Sequence, residues 1–205
     1  MKTLIAICFC GLSIPLSAQT TLRTFTSPDG TFQFKYSHVF IGCTSVQKQE
    51  NGTDASVPQP CGPICDGPGS EGTTLACFSY PNEKFRDKPA FVGATFYVSE
   101  ILSAESEEVC LKGSPNWYVI KSDGETTINH VTFKTFEIGT NWTSHGQIGP
   151  AYRTFHNGKC YELGIQNVFS RAEYDPGTVK EFTKKDASEV KRRLSQALNS
   201  FVFLK

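Results

Sequence analysis

The chain has 205 residues, with twenty basic and twenty acidic side chains and a formal net charge of zero. A near-neutral balance supplies no electrostatic argument for binding nucleic acid, where affinity depends on neutralising phosphates. It equally gives no basis for holding a membrane surface through a polybasic segment. The length suffices for one domain with a sizeable core.

The first eighteen residues are typical of a secretory signal peptide. Lys2 gives a positive start, an apolar run of about ten residues follows, and small residues precede Gln19. The run is too short to span a bilayer, which takes about 20 residues. We therefore expect a signal peptide at 1–18 and a mature domain at 19–205 that is secreted or periplasmic and has no membrane anchor. A hydrophobic first strand is the alternative.

Six cysteines remain after the predicted cleavage, and an even number in an exported chain is typical of a disulfide framework. They are Cys43, Cys61, Cys65, Cys77, Cys110 and Cys160. We expect the first four to pair among themselves, because they flank one loop, and Cys110 to pair with Cys160. A zinc site is the alternative, but Cys61 and Cys65 form the only close pair, whereas such sites use two. We expect neither a metal nor a cofactor.

The mature chain opens with a predicted hairpin at residues 25–36. Residues 27–30, with the sequence Ser-Pro-Asp-Gly, have the composition of a tight turn. Phe32, Phe34 and Tyr36 then alternate with polar residues, the period of a half-buried strand.

A long irregular loop is predicted next, at residues 42–72, which are rich in cysteine, proline and glycine. The composition of residues 74–80 and 91–101 favours strands. A short helix is expected after Ser103, where glutamates would lie near its positive end.

Two further hairpins are predicted, one at residues 126–138 that turns at Asn129-His130, and one that turns at Asn157-Gly158. Residues 139–149 between them are predicted to be a loop. The second turn is the strongest, because Asn-Gly suits the positive φ angles of a two-residue type I′ turn, which also fixes the register. The predicted opposite pairs are His156 with Lys159, Phe155 with Cys160, and Arg153 with Glu162. We interpret the last as a cross-strand ion pair, and we expect both faces of the hairpin to be covered.

The chain closes with a predicted amphipathic helix. Thr183 and Asp186 are spaced as a capping pair, and apolar residues from Ala187 to Phe201 recur at helical spacing. Residues 201–204 are expected to form a last strand or an apolar tail. Together the elements predict an α+β domain with an antiparallel sheet of about six or seven strands and a long C-terminal helix packed on it.

The two ends of this arrangement resemble the PsbP-like family of small exported domains. The resemblance rests on residues 25–36 and on the helix that runs into Ser-Phe-Val-Phe at 200–203. Residues 152–163 are also similar to uncharacterised secreted bacterial proteins of the acidobacterial type. The resemblance implies an α/β/α sandwich and a non-catalytic accessory or binding domain, and it implies no site residues.

The sequence carries no nucleophile elbow, phosphate-binding loop or dinucleotide fingerprint. The candidate binding residues are Trp117, Trp142, His145 and His156, because Trp is common in binding hot spots. Core packing of the two tryptophans is the alternative. We expect a binding or accessory domain for an unknown protein or small molecule. A small secreted hydrolase with a site near loop 139–149 is the alternative function.

Overall fold

The computed structural model describes residues 21–44, 65, 72–112, 119–141, 145–170 and 179–204. The strands are β1 Leu22–Thr26, β2 Phe32–Ser37, β3 Ile41–Thr44, β4 Gly72–Tyr80, β5 Phe91–Ile101, β6 Val119–Ile128, β7 Val131–Asn141, β8 His145–His156, β9 Lys159–Ser170 and β10 Val202–Phe203. The helices are α1 Glu107–Lys112 and α2 Lys184–Asn199, and a short 3₁₀ helix spans Asn82–Phe85. No helix within these ranges is both long and apolar enough to cross a membrane.

The strands form two antiparallel sheets, which confirms the α+β prediction. The large sheet has seven strands in the order β3-β4-β5-β9-β8-β7-β6, and the small sheet has the order β1-β2-β10. The predicted first hairpin and last strand therefore belong to a second sheet, because Val202 pairs with Gln33 and Phe203 with Phe32.

The small sheet and α2 cover one face of the large sheet, which we call the core face. Phe32 and Phe34 of β2 have no solvent exposure. The Phe34 ring meets the rings of Phe78 and Phe96 edge-on, with centroids 5.1 and 4.9 Å apart. Helix α2 adds the buried side chains Val190, Leu194, Ala197 and Leu198. Contacts between edge-on aromatic rings are favourable beyond the area that they bury.

Both predicted two-residue turns are present. Asn157 and Gly158 have φ angles of 49° and 79°, and Asn129 and His130 have 45° and 70°. The three predicted pairs across the β8–β9 hairpin are confirmed, including Arg153 opposite Glu162.

The predicted loop at 139–149 is wrong over most of its length. Strand β7 continues to Asn141 and β8 begins at His145, so that only residues 142–144 lie outside the described strands. Glycines in this segment suggested a loop, but they serve close approach between strands. A Cβ atom on Gly149 would overlap the carbonyl oxygen of Ile165, and one on Gly146 would overlap the Phe169 ring.

The predicted loop at 42–72 also begins and ends in strands. Strand β3 reaches Thr44 and pairs with β4, which places Cys43 opposite Cys77, and β4 begins at Gly72. Between these strands only Cys65 lies within the described residues.

The start of α2 agrees with the sequence-based prediction, whereas α1 begins a few residues later than predicted. In α2 the Thr183 hydroxyl accepts from the Asp186 backbone while the Asp186 carboxylate accepts from the Thr183 backbone, so the predicted capping box is present. Helix α1 begins at Glu107, four residues after Ser103, with the Ser106 hydroxyl accepting from the Val109 backbone.

Two disulfides are buried, and they agree with the predicted grouping. Cys110 on α1 bonds to Cys160 on β9, and Cys65 bonds to Cys77 on β4. The first tethers the short helix to the large sheet. Cys61 and the side chain of Cys43 lie outside the described residues.

The two disulfides are expected to differ in their contribution to stability. In the chain-entropy description, the bond that spans 50 residues contributes about 4 kcal/mol and the bond that spans 12 residues about 3 kcal/mol. Replacing Cys110 and Cys160 together by serine should therefore lower the free energy of unfolding in urea more than the same change at Cys65 and Cys77. A larger loss for the shorter bond would contradict this.

Candidate functional site

The face of the large sheet opposite the core face, here called the second face, carries a cross-strand row of polar groups. On β5, Tyr97 lies opposite Gly164 of β9. Two residues from Gly164 along β9, Glu162 lies opposite Arg153 of β8. We call Tyr97, Glu162 and Arg153 the polar row.

Glu162 receives one short hydrogen bond on each carboxylate oxygen. The Tyr97 hydroxyl donates to Oε1 at 2.6 Å, and Nε of Arg153 donates to Oε2 at 2.6 Å. The Arg153 and Glu162 side chains are 4% and 2% exposed. The predicted ion pair is confirmed, and it is a buried one, which is stable only when both charges are matched and hydrogen-bonded.

Gly164 allows Tyr97 to reach Glu162. A Cβ atom on Gly164 would overlap the Tyr97 ring, so the ring lies directly over this glycine. Burial and the nearby Glu162 charge hold the pKa of the Tyr97 hydroxyl well above its ordinary value. Tyr97 therefore remains protonated and donates to the carboxylate at any physiological pH.

Apolar groups close both ends of the polar row. The Arg153 guanidinium lies 5.7 Å from the centroid of the Phe136 ring, within cation–π range. At the other end, the Cys65–Cys77 disulfide packs against the fully buried Tyr97 side chain. The charges of the row are thus shielded from water, which strengthens their attraction.

Among the described residues near the polar row, Gln166 is the one whose hydrogen bonding is incomplete. Its side chain is 1% exposed, and neither its Oε1 nor its Nε2 atom has a hydrogen-bonding partner among the described residues. The amide lies close enough to the Tyr97 hydroxyl to oppose the rise in the Tyr97 pKa as a hydrogen-bond donor would, but the two groups do not reach good hydrogen-bond geometry. A weakly paired buried amide stabilises the sheet less than a fully hydrogen-bonded one.

The candidate histidines do not share one site. His145 and His156 begin and end β8, and eleven steps of an extended strand separate them by about 36 Å. The His156 ring stacks on Phe203 at 3.9 Å with an interplanar angle of 11°. His130 is exposed in the β6–β7 turn.

The other predicted binding residues fall outside what the structure describes. Trp117 and Trp142 lie in the undescribed stretches, and the backbone of His145 is described but its side chain is not. Their roles in binding stay predictions. In the described part of the chain, no three His, Cys, Asp or Glu side chains lie close enough together to hold a metal ion.

Sequence reasoning missed Tyr97, Gly164 and Gln166. The alternation of residues in β9 puts Glu162, Gly164 and Gln166 on one face, and this pattern can be seen in the sequence. The pairing of β5 with β9 cannot be seen there, because it joins Tyr97 to a carboxylate 65 residues away.

Comparisons with known proteins show similarity to several solved structures, including the following two. One is the solution structure of cyanobacterial PsbP (CyanoP) from Synechocystis sp. PCC 6803, 14% identical with a TM-score of 0.43, covering 98% of each chain. The other is the Ran-binding protein Mog1p of Saccharomyces cerevisiae, 12% identical with a TM-score of 0.43, covering 91% of this chain and 97% of that one. No family model and no curated protein matches the chain. The similarity to acidobacterial-type proteins stays a prediction.

Replacing Glu162 by glutamine should lower the free energy of unfolding by about 3–5 kcal/mol, because Arg153 would be left as a buried charge without a counter-ion. The double change Arg153→Met with Glu162→Leu removes both charges and should cost less than the single change. Glu108→Gln is the control, since it breaks an exposed ion pair with Lys112 and should have little effect. Urea unfolding measures all three. Equal losses for Glu162→Gln and the control would contradict a buried charge pair.

Proposed function

We propose that the protein is an exported, non-catalytic binding or accessory domain. In this proposal residues 1–18 direct export, residues 19–205 act as one domain in the periplasm or outside the cell, and the ligand is a protein or small molecule. The proposed export and compartment rest on residues 1–18, whose sequence is typical of a signal peptide.

The two disulfides support an oxidising compartment. Their four cysteines are all at most 8% exposed and join separate elements of the fold. Such structural bonds persist in the periplasm and outside the cell, whereas the cytosol keeps thiols reduced.

The engagement of Glu162 is the observation that carries the non-catalytic part of the proposal. A general acid or base must reach a proton on the substrate. Glu162 instead holds Tyr97 and Arg153 through both oxygens in a buried position. Its geometry suits an anchor between strands.

The hydrolase alternative loses the loop on which it depended. Residues 139–141 and 145–149 are paired strands. His156 lies at the far end of β8 from this segment and stacks on Phe203. No described observation favours this alternative, and we do not propose it.

Mass spectrometry of the exported protein tests the compartment. The mature chain should begin near Gln19, and alkylation without reduction should leave Cys65, Cys77, Cys110 and Cys160 unmodified. Free thiols at these four positions would contradict the proposal.

Turnover assays test the non-catalytic part. Ester, phosphate monoester and glycoside substrates should show no hydrolysis by the wild-type protein beyond that of a His156→Ala variant. His156 is partly exposed in a hairpin end, so this variant should keep its fold, which circular dichroism would check. Hydrolysis that disappears in the variant would overturn the proposal.

A further inference from the structure

The charged residues at the exposed positions of α2 are all cations. The exposed residues of this helix are Lys184, Lys185, Ala187, Ser188, Lys191, Arg192 and Asn199. Four of them are cations and none is an anion. We call Lys184, Lys185, Lys191 and Arg192 the cationic face.

The acids of α2 neutralise one of these four cations, Arg192, and leave the three lysines unpaired. Asp186 is engaged by Lys88 and by the Thr183 cap. Glu189 is engaged by Arg192 and Arg193, at 2.9 and 2.5 Å. The ammonium groups of Lys184, Lys185 and Lys191 have no ion-pair partner among the described residues, so their charge is available to an anion.

Helix stability does not explain where these lysines lie. The positive end of a helix dipole favours acids in the first turn and cations in the last. Here Lys184 and Lys185 open the helix, and the last turn contains no basic residue. Asp186 in the same turn suits the helix dipole, but Lys184 and Lys185 oppose it, so the dipole gives no reason for these two lysines.

The neighbouring 3₁₀ helix enlarges the cationic face. It is held beside the start of α2 by the Lys88–Asp186 ion pair and by edge-on packing of Phe85 on Phe182, with ring centroids 5.1 Å apart. It adds the exposed cation Lys84, and exposed Arg86 follows directly after this helix, while the exposed acid Glu83 stands next to Lys84 in the sequence. The other acid of this segment, Asp87, is paired with Lys180.

We propose that the cationic face binds a linear polyanion, of the class of acidic polysaccharides that carry carboxylate or sulfate groups. Lys184 and Lys191 are seven residues apart, so they lie on the same side of α2 and about 10 Å apart along its axis. A row of this kind can follow an extended anionic chain. The proposal rests on the proposed binding function and names its ligand class.

An anionic membrane fits this surface less well. Helices that lie on membranes bury an apolar face in the interface, and the only apolar residue among the exposed positions of α2 is Ala187. The zero net charge of the chain does not oppose a local attraction, because solvent screens charges beyond about 10 Å at ordinary salt.

Binding to heparin and to polygalacturonate tests the proposal, with the mature protein at 50 and 200 mM salt. Affinity should fall about tenfold or more over this range. The variant Lys184→Glu with Lys185→Glu should bind about tenfold or more weakly at low salt. Because acids suit the start of a helix, its melting temperature should stay the same or rise, which separates lost binding from lost folding.

The matched control is Lys112→Glu with Lys159→Glu, which changes the net charge equally but alters exposed lysines on α1 and at the β8–β9 turn. It should retain affinity within about threefold, since these lysines belong to other elements and already pair with Glu108 and Glu100. Equal weakening in both variants would overturn the proposal, as would binding to anionic vesicles alone or tighter binding to duplex DNA. Failure to bind any polyanion would also overturn this proposal. It would not decide the proposed function, which the mass spectrometry and turnover assays test separately.

Discussion

The two-residue turn at Asn157-Gly158 sets the register on which the centre of the large sheet depends. Its two positive φ angles leave one way for β8 and β9 to meet. Arg153 then faces Glu162, and Cys160 is placed to hold α1 through its disulfide with Cys110. One local backbone constraint thus fixes an ion pair, a covalent bond and the position of a helix.

The buried charges protect this register. A slip of one residue in β9 would turn Glu162 toward the core face and bring Leu163 to the second face. The carboxylate would then lie among phenylalanine rings without Tyr97 or Arg153, at the cost of an unpaired buried charge. The polar row therefore gives the sheet specificity in addition to whatever stability it contributes, as buried polar groups do in some other folds.

Patterns of residues that are close in the sequence predicted the fold well, but they could not predict contacts between distant segments. The Asn157-Gly158 hairpin, the Thr183 cap and the Arg153–Glu162 pair each depend on residues close in the sequence, and all three are present. Gly146 and Gly149 were misinterpreted because a glycine that admits a neighbouring strand looks the same in sequence as one that makes a turn. At the candidate site, Tyr97 was missed because its partner strand is distant along the chain.

The small sheet joins the two ends of the described chain. Strand β10 pairs with β2, and the Ser200 hydroxyl accepts from the Lys35 backbone 165 residues earlier. A ribosome makes the segments of the large sheet well before α2 and β10, so β2 can pair early with β1 but must wait for β10. Closing so long a loop is slow compared with forming hairpins. The side chains of Phe32 and Phe34 are therefore fully buried only after α2 and β10 have been made. The core is complete only when the chain is nearly complete.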